Sequence, residues 1–113
     1  MIHHIAIGTA NPAELADFYV KIPNAKKSKE WWNEDGSLRS VWIQMGNIIL
    51  MIEKGKKMGP RALVFSYRKK DHAIWETLLA ESPLTHRTDF TLYFDDPDGN
   101  SIGISAYPEP LEI

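Results

Sequence analysis

Four histidines, His3, His4, His72 and His86, and a carboxylate run, Asp95, Asp96 and Asp98, are the residues whose types could do chemistry. Histidine can act as a general base, a hydrogen-bond partner or a metal ligand, and clustered carboxylates invite a cation. The carboxylates, however, stand in Asp-Asp-Pro-Asp-Gly-Asn (95–100). There Pro97 fixes φ and Gly99-Asn100 tolerates positive φ, and the spacing does not match a twelve-residue calcium loop. We therefore read a turn between two strands, not a cation site. The chain has no cysteine, which excludes disulfides, thiolate metal sites and a cysteine nucleophile. No Ser-His-Asp or lysine-nucleophile arrangement is recognisable from the spacings.

The elements that must position these residues come in two similar sets. In the first, Ile2–Gly8 alternates as a strand. Asn11-Pro12-Ala13-Glu14 then starts a helix, with Asn11 as N-cap and Pro12 at the first helical position. Its predicted buried face holds Leu15, Phe18 and Tyr19. Three strands are expected over Lys26–Trp32, Leu38–Met45 and Ile48–Lys54, the last two joined through Gly46-Asn47. In the second set the expected elements are a strand over Arg61–Tyr67, a helix over Lys70–Glu81 with Ile74, Trp75, Leu78 and Leu79 on one side, and a short strand within Leu84–Asp89. A hairpin of Thr91–Phe94 and Ser101–Tyr107 closes it. Gly46 and Gly99, 53 positions apart (99 − 46), mark equivalent turns, so the chain is predicted to repeat one βαβββ module. The fold class is α+β, with two such modules pairing into a half-open, barrel-like sheet around a concave pocket. We expect a single domain over 1–113, with module one at 1–54, a linker at 55–60 (GKKMGP) and module two at 61–107.

A two-residue turn at Gly46-Asn47 puts Met45 opposite Ile48, Ile43 opposite Leu50 and Val41 opposite Ile52. That aliphatic face belongs under the helix, as do Ile5 and Ile7. The opposite face carries His4, Ala6, Gly8, Ser40, Trp42, Gln44, Ile49, Met51 and Glu53, a mixed set suited to a pocket wall. In the second module Leu63, Phe65, Ile102, Ile104 and Ala106 go to the core. Ala62, Val64, Ser66, Gly103, Ser105 and Tyr107 go to the pocket side. Trp42 is the candidate for stacking on a flat apolar ligand. Expected binding residues are thus His4, Trp42, Gln44, Met51, Glu53, Ser66, Ser105 and Tyr107. His72 is expected at the surface, and His86, Arg87 and Asp89 in a solvated loop.

Composition sets outer limits. A charge of −2 over 113 residues offers no basic patch for nucleic acid. No apolar stretch approaches the roughly 20 residues needed to span a bilayer, and the N-terminus reads as a strand with no signal-peptide pattern. A cytoplasmic location is the expectation.

The runs His4-Ile5-Ala6-Ile7, Leu15-Ala16-Asp17-Phe18-Tyr19 and Leu92-Tyr93-Phe94-Asp95-Asp96-Pro97-Asp98-Gly99-Asn100 resemble the vicinal oxygen chelate family of glyoxalases, bleomycin-resistance proteins and extradiol dioxygenases. The resemblance implies paired βαβββ modules, a homodimer, and a divalent metal held by the first and last strands of each module. On those positions this chain has His4, Met51, Ala62 and Gly103, so three of four lack a nitrogen or oxygen donor. His4 and Glu53 are the remaining candidate ligands. The resulting expectation is a binding protein for a small apolar or aromatic molecule, without the usual metal or other cofactor. The alternative is a lyase, isomerase or dioxygenase dependent on Zn, Ni, Mn or Fe, using His4 with Glu53 or His86 as further ligands or with ligands from a partner chain. Metal-free acid/base catalysis by His4 or Glu53 is a third route.

Overall fold

In the computed structural model, which describes residues 2–113, Asn11 Oδ1 accepts the Glu14 amide at 3.1 Å. The first helix, α1 (Pro12–Tyr19), starts from that cap with proline in its first turn. It buries Leu15, Ala16, Phe18 and Tyr19, the i, i+3, i+4 stripe of an amphipathic helix. Four strands accompany it: β1 (His4–Thr9), β2 (Ala25–Trp32), β3 (Leu38–Met45) and β4 (Ile48–Lys54). They form one sheet in the order β1-β4-β3-β2, β1 running parallel to β4 and the other pairs antiparallel. Gly46, at φ 57°, makes the tight β3–β4 turn, and Val41, Ile43 and Met45 face Ile52, Leu50 and Ile48 as the alternation requires.

α1 lies against β3 and β4. Where they meet, Leu15 of the helix and Ile7, Val41, Ile43, Leu50 and Ile52 of the strands are all at most 2% exposed. Burial of each such side chain stabilises by roughly 1.5–3 kcal/mol. The chain clusters into two compact units, Met1–Gly59 and Pro60–Ile113. The segment expected as a linker belongs largely to the first: Met58 forms a β-bridge with Gly8, with amide–carbonyl bonds of 2.7 and 3.1 Å. Gly8 is required there, because a β-carbon on it would lie 2.2 Å from the Lys56 carbonyl oxygen.

The second unit repeats the plan. Its elements are β5 (Leu63–Ser66), a 3₁₀ turn (Lys69–Asp71), α2 (His72–Ala80), β6 (Leu84–Arg87), β7 (Thr91–Asp95) and β8 (Ser101–Ser105). The sheet order is β5-β8-β7-β6, again with one parallel pair, β5 and β8. Trp75 anchors α2, its ring 6.1 Å from Phe65 and 6.5 Å from Phe94. α2 starts two residues later than predicted. The Asp71 carboxylate accepts from Arg68 Nε at 3.1 Å instead of capping the helix. Ile74, expected on the buried side, is 45% exposed, since the stripe centres on Trp75, Leu78 and Leu79. β8 also ends earlier than predicted, leaving Ala106 and Tyr107 outside it.

The two glycine turns differ in build. In the second, Asp96 Oδ1 accepts the amides of Asp98 and Asn100, and Oδ2 accepts Asn100 Nδ2, at 2.7–2.9 Å. A buried carboxylate satisfying backbone donors is turn architecture.

Candidate functional site

Strand register arranges the uncovered face of the first sheet in rows. His4, Ile49, Gln44 and Lys26 form one row; Ala6, Met51, Trp42 and Lys29 the next; Gly8, Glu53, Ser40 and Trp31 the third. Simple alternation along β2 would set Lys26, Ser28, Glu30 and Trp32 on this face. A bulge changes that. Lys27 pairs with Ile43 and Lys29 with Trp42, leaving Ser28 as the extra residue, its hydroxyl donating to the Trp42 carbonyl at 3.2 Å. Beyond it, Lys29 and Trp31 turn to the open face. A second irregularity compensates: Trp31 pairs with Ser40 and Trp32 with Leu38, so Arg39 is extra on β3.

The two bulges frame a cavity of about 400 Å³ lined by Trp31, Arg39, Ser40, Trp42 and Glu53. The Trp31 and Trp42 rings lie 5.6 Å apart, tilted by 57°. The Lys29 ammonium sits 5.4 Å from the Trp31 centroid and 5.8 Å from that of Trp42, within cation–π range. Ser40 is 2% exposed, yet its hydroxyl has no hydrogen-bond partner among the described residues. Glu53, directly opposite Ser40, is half-buried. The first sheet's open face thus brings together a buried hydroxyl, a carboxylate and an aromatic pair.

Of the sequence-derived binding residues, Trp42 and Glu53 line this cavity. His4, Gln44 and Met51 share the sheet face but not the cavity lining. Gln44 spends its amide locally, donating to the Gly46 carbonyl at 2.7 Å. Ser66, Ser105 and Tyr107 lie on the second unit. The Ser105 hydroxyl is committed to structure, accepting from Thr91 Oγ1 at 2.8 Å and donating to the Phe90 carbonyl at 3.2 Å. Tyr107 is 74% exposed. Lys29, Trp31, Arg39 and Ser40 are the contributors the sequence did not single out as binding residues. Three of them depend on bulges or on an exposed edge strand.

In the second unit His72 lies at the surface as expected, its side chain 38% exposed. Its Nδ1 pairs with the Tyr67 hydroxyl at 2.8 Å, and its Nε2 lies 3.2 Å from Glu76 Oε1. His86 stacks on Tyr93, with centroids 6.0 Å apart.

No family model matches the sequence, and no curated protein matches it at a significant level. Solved structures do match the fold. The fosfomycin resistance protein FosX from Listeria monocytogenes, complexed with Mn(II) and sulfate, superposes with a TM-score of 0.72 at 17% identity, covering 94% of this chain and 90% of its own. A glyoxalase family protein from Enterococcus faecalis gives 0.66 at 22% identity, covering 93% and 96%. The oxidase ChaP-H2 gives 0.72 at 15% identity, covering 96% and 94%. The chain shares the fold of these three proteins.

The register locates the donor positions that the vicinal oxygen chelate resemblance implies. Ala6 pairs with Met51 and Val64 with Gly103, so His4 and Ala62 are equivalent, as are Met51 and Gly103. Met51 offers only a soft thioether, a poor donor for ions such as Zn²⁺ or Mn²⁺. In the second unit Ala62 and Gly103 offer no donor at all. The space at Gly103 is also taken: a β-carbon there would stand 3.2 Å from the Tyr93 ring and from Val64 Cγ2. Glu53 does not complete the set with His4. It pairs with Gly8, four residues along β1 from His4, or roughly 13 Å at about 3.3 Å per residue. Among the described residues no group of three or more His, Asp or Glu side chains converges. The residues present do not fit the metal centre that the fold supports elsewhere.

Proposed function

We propose that this protein binds a small, flat, apolar or aromatic molecule on the open face of its first sheet, without help from a divalent metal. The observation that carries this proposal is the Trp31–Trp42 pair standing beside the buried Ser40 hydroxyl and the Glu53 carboxylate. The aromatic rings supply stacking area and the two polar groups supply orientation. A cavity of about 400 Å³ suits one or two rings, at the small end of ligand sites. His4, Gln44 and Met51 extend the same face. We include a homodimer in the proposal: edge strand β2 exposes Trp32 at 57%, which a partner copy would shield.

The alternative is a metal-dependent lyase, isomerase or oxygenase, motivated by the Mn(II) held by a protein of the same fold. The donor set weighs against it. Isothermal titration of chelator-treated protein with 4-hydroxybenzoate and with 4-hydroxybenzamide tests the proposal: saturable binding of either supports it, and binding of neither contradicts it.

A further inference from the structure

The charges around the cavity identify the class of ligand more narrowly, on the basis of the binding site proposed above. Lys29 and Arg39 bring two cations to the Trp31–Trp42 pair, against one anion, Glu53. Neither cation has an ion-pair partner among the described residues, whereas nearby Lys27 is held by Glu30 at 2.8 Å. The Lys29 ammonium rests over the tryptophan rings themselves. It ends a flexible stem and can swing aside to meet an incoming anion. The rings, 5.6 Å apart and inclined at 57°, are too close to admit a third ring between them, so a ligand ring must stack on the outer face of the pair.

We infer that the cavity takes an aromatic carboxylate bearing a hydroxyl or amino substituent. Its ring stacks on Trp31 and Trp42, and its carboxylate meets Lys29 and Arg39. Its hydrogen-bonding substituent reaches Glu53 and, as the side chains shift, the Ser40 hydroxyl, which has no partner among the described residues. A neutral aromatic would leave both cations unmatched, and an aromatic cation would meet net repulsion. The same two bulges that rotate Lys29 and Trp31 to the open face and add Arg39 thereby set both the stacking surface and the charge preference.

Tryptophan fluorescence titration of the whole protein with 4-hydroxybenzoate and with its neutral isostere 4-hydroxybenzamide tests this. The acid is expected to bind at least about tenfold more tightly than the amide. Lys29→Gln and Arg39→Gln should each weaken the acid by about fivefold and the amide by less, so that the preference for the acid narrows. Circular dichroism of the variants establishes that they fold. Equal affinity for acid and amide, or preference for the amide, overturns the charge assignment while leaving the binding site intact. Binding of neither probe overturns both.

Discussion

The ring of Tyr93 occupies the space beside Gly103: a β-carbon at Gly103 would be 3.2 Å from both Cδ1 and Cε1 of that ring. The position from which the vicinal oxygen chelate resemblance expects a metal-binding glutamate is thus packed from one side by tyrosine and from the other by Val64. Gly103→Glu should therefore destabilise by about 1–3 kcal/mol, as overpacking does. The double variant with Tyr93→Ala should lose about 1 kcal/mol less than the sum of its parts, because neighbouring changes couple. Urea denaturation of the two single variants and the double checks this. Strict additivity would show that the ring does not fill the site.

Asp96 serves the turn and not a cation. Asp96→Ala removes a buried acceptor of three hydrogen bonds and should cost about 2–3 kcal/mol, lowering Tm by roughly 10–15 °C. Added Ca²⁺ should leave the wild-type Tm unchanged. A calcium-dependent rise would contradict the turn assignment.

Deletion of Ser28 should be tolerated. Lys27 pairs with Ile43 and Lys29 with Trp42, so removing the extra residue leaves a regular strand with Trp31 still on the open face. Only the hydroxyl bond to the Trp42 carbonyl is lost, at about 0.5–1 kcal/mol. Ligand affinity should stay within about threefold of wild type. Its abolition would show that the bulge itself, and not the side of the sheet it selects, makes the site.

The fold was legible because local signals agree with the tertiary structure. Leu38–Met45 and Ile48–Lys54 alternate cleanly around a glycine turn, and Asn11-Pro12 marks a helix start by its own chemistry. The open face of β3 and β4 followed from the same alternation, which puts Trp42 and Glu53 on it. Lys29 and Trp31 were not legible, since one bulged residue reverses the faces of everything after it and nothing in Lys-Lys-Ser-Lys announces a bulge. Arg39 escaped for the same reason on the facing strand. Gln44 read as a pocket residue, but its amide returns to its own turn. The link between His72 and Tyr67 was not legible, because it depends on how the 3₁₀ turn brings α2 back toward the end of β5.

The central claim is that ligand binding depends on the tryptophan pair and not on a metal. Isothermal titration of chelator-treated protein with 4-hydroxybenzoate, alongside Trp42→Ala, tests it most directly. One site per chain is predicted, unchanged by added Zn²⁺ or Mn²⁺ and weakened at least about tenfold in Trp42→Ala through lost stacking area. Binding that appears only after metal is restored, or that survives Trp42→Ala intact, would contradict it.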